Sequence, residues 1–147
     1  MALSPPAHIV IEGNISSGKS TLMQNLEKAA EHWGQSQNIE FFREPLETWC
    51  NFGPEKRNML ELMYKEGKTY SFGFQTVALM SKIDQLHFSK SINIVERSTE
   101  AQARVFIPLL YEDKKITACD REILEYSLNI LGKLPEQKNR SGNISLY

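Results

Sequence analysis

A short apolar run followed by a loop of glycines and serines narrows the possible folds of this chain more than any other segment. Residues His8–Thr21 read HIVIEGNISSGKST, in which Gly13, Gly18, Lys19 and Ser20 keep the spacing G-x-x-x-x-G-K-S/T. The two glycines let the backbone wrap closely around an anion, because no Cβ blocks left-handed conformations. Consecutive backbone N–H groups and the start of the following helix then point at phosphate oxygens. The segment therefore predicts a P-loop between a buried strand and a helix.

The predicted P-loop assigns its residues to nucleotide phosphates and to a magnesium ion. Lys19 is expected to reach the β- and γ-phosphates, and the Ser20 hydroxyl is expected to bind Mg²⁺. The following helix has an apolar face, because Leu22, Leu26 and Ala29 are spaced four and three residues apart. The residues expected to bind ATP or another nucleoside triphosphate are Gly13, Asn14, Ile15, Ser16, Ser17, Gly18, Lys19, Ser20 and Thr21.

Composition and charge argue against two classes of protein. The 147 residues carry a formal net charge of -1, which speaks against a broad basic surface for nucleic acid. The sequence contains no long uncharged apolar run, so no membrane-spanning helix is predicted. The segment before the first strand has too few residues for a signal or transit peptide. The cytoplasm is therefore the expected location, with a mitochondrial location left open.

Hydrophobic periodicity predicts strands that alternate with helices. A helix beginning at Thr99 is expected to be kinked at Pro108, which lacks a backbone N–H. Alternating strands and helices indicate an α/β fold with helical layers on a parallel sheet, here incomplete because only three strands are predicted. The predicted strands are 8–11, 39–42 and 92–95, and the other predicted helices are 20–32, one through 60–64 that ends near 67, 70–89 and 117–132.

The longest predicted helix, 70–89, presents two different faces. One is an apolar stripe with alternating four- and three-residue steps, which is typical of a packed seam. Gln75, Ala78 and Lys82 share a second face that is partly polar. The residues of the apolar stripe are Phe72, Thr76, Leu79, Ile83 and Leu86.

The three predicted strands bring chemically useful side chains to one edge of the sheet. In a parallel sheet with helical crossovers, ligands bind beyond the carboxyl ends of the strands. The P-loop, Glu44 and the Glu96-Arg97 pair each follow one strand. Phosphoryl transfer needs a cradle for the donor, a metal, a group that deprotonates the acceptor, and positive charge near the transferred phosphoryl group. The three strand ends together supply these parts.

The carboxylates and the arginine at these strand ends each have a catalytic and a simpler interpretation. Glu44, held beside Pro45, is the candidate base, and the alternative is an ordinary Glu-Pro turn. Glu96 is the candidate Mg²⁺ ligand together with Ser20, and the alternative is a surface carboxylate paired with Arg97 or a lysine. Arg97 is expected either to bridge Glu44 and the acceptor oxygen or to neutralise neighbouring acids.

Four ordered segments resemble the deoxynucleoside kinase family. IEGNISSGKST looks like the family's P-loop block, and REPLETWCNF is similar to its EP-x-x-x-W block. LELMYKEGKTYSFGFQT looks like the segment that binds the sugar and the base, and IVERS looks like the E-R-S motif. The resemblance runs from residue 9 to residue 134, so 1–134 is interpreted as a kinase-like domain with the P-loop kinase three-layer αβα fold. The polar, unpatterned tail 135–147 is expected to be disordered or loosely attached.

The resemblance implies a role for each matched residue. Glu44 would be the base at the 5′-hydroxyl of a deoxyribonucleoside, with Arg97 supporting the developing charge. Amide and aromatic side chains suit a nucleobase, because an amide both donates and accepts hydrogen bonds and aromatic faces stack on bases. The implied catalytic residues are Glu44, Arg97 and Lys19, and the implied metal ligands are Ser20 and Glu96. The implied nucleoside-binding residues are Tyr64 at the sugar 3′-hydroxyl, Gln75 at the base edge, and Trp49, Phe74 and Phe106 as walls of the base pocket.

Two further positions concern which nucleobase the protein would prefer. Lys82 and Gln102 fall where relatives that accept cytosine and purines carry an arginine and an aspartate, which favours deoxycytidine, deoxyadenosine or deoxyguanosine over thymidine. Lysine lacks the bidentate geometry of arginine and glutamine lacks the charge of aspartate. The alternative is therefore a solvated Lys82 and a helix-capping Gln102. The chain also departs from the family pattern at Ala103, where relatives usually carry arginine, and at Pro108, which interrupts a helix that is normally continuous.

Three functions are compatible with these motifs. The leading hypothesis is a deoxynucleoside kinase that uses ATP and Mg²⁺ to make a 5′-monophosphate. Its expected partner is a small-molecule nucleoside and not nucleic acid or a membrane. The resemblance implies a homodimer as the form of the full-length family members. Relatives continue into two more strands, an arginine-rich lid and a late glutamate that are not visible here. The second hypothesis is therefore a truncated, catalytically impaired form that binds nucleotide or pairs with full-length subunits. A third, another P-loop kinase or a GTPase, leaves Glu44, Gln75 and Glu96-Arg97 without a role.

Overall fold

Strands and helices alternate along much of the chain. The computed structural model describes residues 6–85, 89–133 and 143–146. The strands are β1 (Ala7–Gly13), β2 (Ile39–Phe42), β3 (Ile92–Glu96) and β4 (Asn143–Leu146). The helices are α1 (Lys19–His32), α2 (Leu46–Cys50), α3 (Met59–Lys65), α4 (Gly67–Gln85), α5 (Thr99–Ala101), α6 (Ile107–Glu112) and α7 (Ala118–Gly132), with a π turn (Gln102–Phe106) between α5 and α6.

The chain divides into two units, which we name the sheet unit and the helical unit. The sheet unit comprises the described residues of 1–44, 87–98 and 132–147, and it holds the four strands and α1. The helical unit comprises those of 45–86 and 99–131, and it holds α2 to α6 and nearly all of α7. The P-loop, Glu44 and the Glu96-Arg97 pair therefore belong to the sheet unit.

The sheet unit is built on parallel strands in the order β2-β3-β1-β4. β3 pairs with β1 from Ala7 opposite Ile92 to Ile11 opposite Glu96, and β2 pairs with the other side of β3. The predicted α/β class and the parallel sheet are confirmed. Because these three strands run in the same direction, the segments that follow them lie at one edge of the sheet.

A strand from the tail pairs with the outer edge of β1. β4 runs parallel to β1, with Val10 opposite Asn143 and Gly13 opposite Leu146. The structure thus has a strand at 143–146, where the sequence predicted a disordered or loosely attached tail, and the sheet has four strands instead of three; 135–142 and 147 lie outside the described residues. An edge strand leaves backbone N–H and C=O groups without partners, and β4 supplies those partners to β1.

The core of the sheet unit lies between α1 and the sheet. Ile11 and Met23 are fully buried, and Ile94 joins them in one cluster of apolar side chains. Leu22 and Leu26, from the predicted apolar face of α1, pack against this cluster while remaining partly exposed. Met23 is thus the side chain that fixes α1 most deeply to the sheet.

Met23→Ala is expected to destabilise the protein by about 2–5 kcal/mol, because it removes buried contacts and leaves a cavity. Met80→Ala is the matched control, since Met80 lies on α4 with 52% of its surface exposed, and a surface substitution typically changes stability by less than about 0.5 kcal/mol. Urea denaturation of both variants, followed by circular dichroism, measures the difference. Equal losses in the two variants would contradict the packing described for Met23.

The helical unit contains two apolar clusters and a capped last helix. One cluster includes Trp49 and Phe74, and the other includes Ile107 and Leu124. The predicted start of the last helix is confirmed, because the Thr117 N–H donates to Asp120 Oδ2 at 2.9 Å and the Asp120 N–H donates to Thr117 Oγ1 at 3.1 Å. This reciprocal pair satisfies backbone donors that the helix itself leaves unpaired. Within the described ranges, no helix combines the length and apolar character needed to cross a bilayer.

Helix α4 is buried most deeply on its partly polar face. Of the predicted apolar stripe, Leu79 is buried, whereas Phe72, Thr76 and Ile83 are only partly buried and Leu86 lies outside the described residues. Apolar spacing alone does not show which face of a helix the rest of the protein covers, so this part of the prediction is corrected. The buried residues of α4 are Ser71, Phe74, Gln75, Ala78, Leu79 and Lys82.

The predicted kink at Pro108 takes the form of a π turn. The Ile107 N–H donates to the Gln102 carbonyl, five residues earlier. Pro108 follows directly as the second residue of α6, and because it has no N–H it cannot donate the backbone hydrogen bond that another residue would make to the preceding turn. The π turn before the proline therefore connects α5 to α6 without a break in the helical conformation.

The short helix α2 was not predicted from the sequence. Its five residues begin directly after Pro45 and end at Cys50. Five residues are too few to display a helical repeat, and the proline before them was the available signal of a helix start. Helix α2 brings Trp49 into the helical unit's core.

Candidate active site

The P-loop connects β1 to α1 through two left-handed residues. Gly18 has a φ of 90° and Ser16 a φ of 62°. A Cβ at Gly18 would meet no atom within 4 Å, so glycine is favoured there by backbone conformation and not by lack of space. The Ser17 N–H donates to the Asn14 carbonyl at 3.2 Å, and the Ile15 N–H donates to Asn14 Oδ1 at 2.8 Å. The loop is thus a tight turn that Asn14 organises.

The side chain of Lys19 is buried at the start of α1 although it is charged. Its Nζ donates to the Gly13 carbonyl at 3.0 Å and to the Asn14 carbonyl at 2.6 Å. Burial lowers the pKa of Lys19, and the positive charge of Arg97 lowers it further, while nearby carboxylates act in the opposite direction. A polyanionic ligand would favour the charged form of such a lysine. The geometry therefore suits the predicted role of Lys19 toward phosphate.

The two predicted metal ligands are in direct contact. The Ser20 hydroxyl donates to Glu96 Oε1 at 2.8 Å, and Glu96 is buried at the end of β3. The part of the chain that the structure describes contains no cluster of three or more His, Cys, Asp or Glu side chains that could hold a metal. Mg²⁺ commonly binds through one or two carboxylates plus substrate phosphates and keeps several waters. One carboxylate beside a hydroxyl at a P-loop fits that requirement.

Glu44 and Arg97 form an ion pair beside the two predicted metal ligands. Arg97 Nε lies 3.4 Å from Glu44 Oε1, and the two side chains are 13% and 16% exposed. The Glu44 N–H donates to Glu96 Oε2 at 3.4 Å, and Arg97 Nη2 donates to the Gly13 carbonyl at 3.4 Å. Main-chain and side-chain contacts thus connect the candidate base, the candidate metal ligand and the P-loop. This is the convergence at the strand ends that the sequence predicted.

The contact between Glu12 and Ser98 was missed from the sequence. Glu12 Oε1 accepts the Ser98 N–H at 2.9 Å and also accepts the Ser98 hydroxyl. A signal was available, because Glu12 stands directly before Gly13 of a predicted anion-binding loop. A carboxylate beside a bound anion is unfavourable unless it has partners of its own. Glu12 and Ser98 therefore join the group at the strand ends.

The two amides predicted near the base contact each other in the helical unit. Gln102 Nε2 donates to the Gln75 carbonyl and to Gln75 Oε1, both at 2.8 Å, and both residues are buried. Lys82 on the same helix as Gln75 is only 7% exposed. The alternative of a solvated Lys82 and a helix-capping Gln102 is therefore wrong. The two buried amides thus satisfy part of each other's hydrogen-bonding capacity.

The predicted aromatic residues differ in their exposure. The rings of Trp49 and Phe74 meet edge to face with centroids 5.3 Å apart, and the Trp49 Nε1–H donates to Ser81 Oγ at 2.9 Å. Both rings belong to an apolar cluster. Tyr64 on α3 is 67% exposed, and Phe106 ends the π turn partly buried. The roles of all these residues toward a nucleoside stay predictions.

Comparisons with known proteins assign the chain to a family. A sequence model described as deoxynucleoside kinase matches residues 9–138. Deoxycytidine kinase 2 of Gallus gallus is 29% identical over 139 residues, which cover 80% of this chain and 50% of that protein. Deoxycytidine kinase of Mus musculus is 32% identical, over 71% of this chain and 46% of that protein. Mitochondrial deoxyguanosine kinase of Xenopus laevis is 31% identical, over 69% of this chain and 44% of that protein. The chain spans about half the length of these relatives, and it belongs to the deoxynucleoside kinase family.

Proposed function

We propose that this protein transfers the γ-phosphoryl group of ATP to the 5′-hydroxyl of a deoxyribonucleoside. The observation that carries the proposal is the connected group in the sheet unit, in which a P-loop, a buried carboxylate and a carboxylate–arginine pair meet. Phosphoryl transfer relies on positioning and on stabilisation of negative charge, and this group offers both. Its members are Lys19, Ser20, Glu44, Glu96 and Arg97.

The donor side of the proposed reaction uses the P-loop. Its backbone N–H groups and the Lys19 ammonium bind the phosphates of ATP, because they supply donors and positive charge at one place. Ser20 and Glu96 hold Mg²⁺, which when bound neutralises charge on the phosphate oxygens. The buried position of Glu96 keeps its carboxylate in place beside the Ser20 hydroxyl.

The acceptor side of the proposed reaction uses Glu44 and Arg97. Glu44 accepts the proton of the 5′-hydroxyl as that oxygen bonds to the γ-phosphorus and the bond from phosphorus to the bridging oxygen of ADP breaks. Arg97 holds the Glu44 carboxylate through the ion pair and carries positive charge for the transferred group. A base and a cation fixed by the same contacts suit this step.

We extend the proposal to the base of the nucleoside. The buried amides of Gln75 and Gln102 and the buried ammonium of Lys82 supply hydrogen-bond donors and acceptors within the helical unit. Such groups match the polar edges of cytosine and the purines. The proposed acceptors are therefore deoxycytidine, deoxyadenosine and deoxyguanosine, ahead of thymidine.

A phosphoryl-transfer assay tests both levels of the proposal. The purified chain is incubated with ATP, Mg²⁺ and each of the four natural deoxynucleosides, and the 5′-monophosphates are separated and quantified. We expect product from deoxycytidine or a purine deoxynucleoside with kcat/KM about tenfold or more above that for thymidine, a ratio within reach of one binding pocket. Thymidine as the best acceptor would overturn only the base preference. No product from any nucleoside, with ATP still bound, would overturn the enzymatic proposal and favour the nucleotide-binding alternative.

A further inference from the structure

We propose that Glu12 is a positioning residue that holds the turn Glu96-Arg97-Ser98 in the shape needed for phosphoryl transfer. This inference rests on the proposed function, because it explains how the arginine and the metal ligand of that reaction are kept in place. Glu12 belongs to β1, and the turn begins at Glu96, the last residue of the neighbouring strand β3. The two segments meet at the edge where the catalytic group lies.

Three successive residues of β1 bind the turn. The Ile11 carbonyl accepts the Arg97 N–H at 2.9 Å, and the Gly13 carbonyl accepts Arg97 Nη2 at 3.4 Å. Between them, Glu12 Oε1 accepts both donors of Ser98, its N–H and its hydroxyl. The Ile11 and Gly13 contacts use backbone atoms that any residue would supply. The Glu12 contact uses a side chain, so a substitution can remove it alone.

The turn needs such support because Arg97 has an unusual backbone conformation. Its φ is 59°, in the left-handed region that residues with a Cβ rarely adopt. A strained residue keeps its conformation only when contacts on both sides hold it. The Arg97 N–H is held on one side by Ile11, and the following residue, Ser98, is held on the other by Glu12. We call these two contacts the clamp: Ile11 contributes a backbone carbonyl to it, and Glu12 contributes a side chain.

The clamp determines where two catalytic groups lie. Glu96, directly before Arg97, contacts Ser20 through its side chain, and the Arg97 guanidinium pairs with Glu44. If the turn relaxed, the guanidinium would leave Glu44, and a misplacement of about 1 Å can cost about 10²-fold in rate. The two Ser98 bonds end on Glu12, which precedes the P-loop, and not on a P-loop residue. The loss should therefore fall on kcat more than on the KM for ATP.

The effect of the Glu12 charge can be separated from the effect of its hydrogen bonds to Ser98. Glu12 is one of the carboxylates whose charge acts on Lys19. Glutamine keeps an oxygen that can accept both Ser98 bonds but carries no charge, whereas alanine removes the acceptor and the charge together. A positioning residue should tolerate Glu12→Gln and not Glu12→Ala.

The chain offers a matched control at Glu40. Glu40 Oε2 on β2 accepts the Ser89 N–H at 3.4 Å and the Ser89 hydroxyl at 3.1 Å. This is the same glutamate-to-serine arrangement between a strand and a segment next to β3, but it is exposed and belongs to no part of the catalytic group. Glu40→Ala is therefore expected to keep the activity of the unmodified protein.

The test compares these variants by steady-state kinetics and by hydrogen–deuterium exchange of the backbone amides at 96–98. We expect Glu12→Ala to lower kcat about tenfold or more with the KM for ATP changed less than about threefold, and to speed exchange at Ser98. Glu12→Gln should restore both properties to near their original values. If Glu12→Ala does not fold, Ser98→Ala replaces it, with a smaller loss of kcat expected because the Ser98 N–H contact remains.

Several results would overturn the inference. Unchanged kcat and exchange in Glu12→Ala, unchanged kcat in a substituting Ser98→Ala, or a Glu12→Gln variant as impaired as Glu12→Ala would each do so. A kcat loss of equal size in Glu40→Ala would also count against it, because that loss would reflect general stability. If the unmodified chain phosphorylates no nucleoside, the proposed function fails, and the exchange measurement still decides whether Glu12 holds the turn.

Discussion

Replacing Glu44 by glutamine is expected to lower kcat by about 10²–10⁴-fold, the range that general base catalysis typically contributes. Glutamine has nearly the shape of glutamate but cannot accept the proton of the 5′-hydroxyl. The Glu44 N–H that donates to Glu96 Oε2 is a backbone group and is unaffected. The KM for ATP should therefore change little. Single-turnover measurements, with the protein and ATP in excess over a limiting amount of nucleoside, report the chemical step directly.

The control for this experiment is Glu47→Gln, made three residues away in the first turn of α2. Glu47 is exposed, so loss of its charge should leave kcat within about twofold of the original value. A Glu44→Gln variant that retained full kcat would show that another group receives the proton. Equal losses in both variants would point to a general effect of charge on this segment and would also contradict the assignment.

Replacing Lys19 by methionine is expected to reduce kcat/KM for ATP by about 10²–10³-fold, as is typical when one preorganised donor to a developing negative charge is lost. Methionine keeps most of the length of the side chain, so the packing around it is largely retained. The ammonium that lies between the Gly13 and Asn14 carbonyls disappears. Calorimetric titration with ATP measures the affinity, and steady-state kinetics measure the rate.

Lys28→Met on α1 serves as the control, because Lys28 is exposed nine residues further along the same helix. It should bind ATP as the unmodified protein does. Thermal denaturation of both variants checks that the fold is intact. If Lys19→Met kept its affinity and its kcat/KM for ATP, the P-loop lysine would have no part in phosphate binding, and the donor side of the mechanism would need another cation.

The sequence predicted the strand ends well because local signals and topology agreed there. The P-loop spacing requires a strand before it and a helix after it, and a parallel sheet carries Glu44 and Glu96-Arg97 to the same edge. The contacts among Ser20, Glu44 and Glu96 follow from that arrangement. These residues could be placed together without any knowledge of their side-chain conformations.

Other features depend on contacts that no local pattern reports. The pairing of β4 with β1 joins residues more than a hundred positions apart, and a polar tail gives little sign of it. The contact of Glu12 with Ser98 likewise spans the sheet. The apolar stripe predicted the helix α4 but not which of its faces is buried, because burial depends on what packs against the helix.

The π turn changes which residues of one helical segment share a side. Gln102 and Ile107 are both buried, yet five residues of an ordinary α-helix rotate the chain by about 500°, which would set them about 140° apart. The bond from the Ile107 N–H to the Gln102 carbonyl closes a wider turn, which brings the two residues closer to the same side. One segment can therefore direct an amide to Gln75 and an aliphatic side chain to an apolar cluster. Deleting a single residue from 103–106 would leave Gln102 and Ile107 four residues apart, about 40° in an ordinary α-helix, so we expect both to stay on the same side while the π turn disappears.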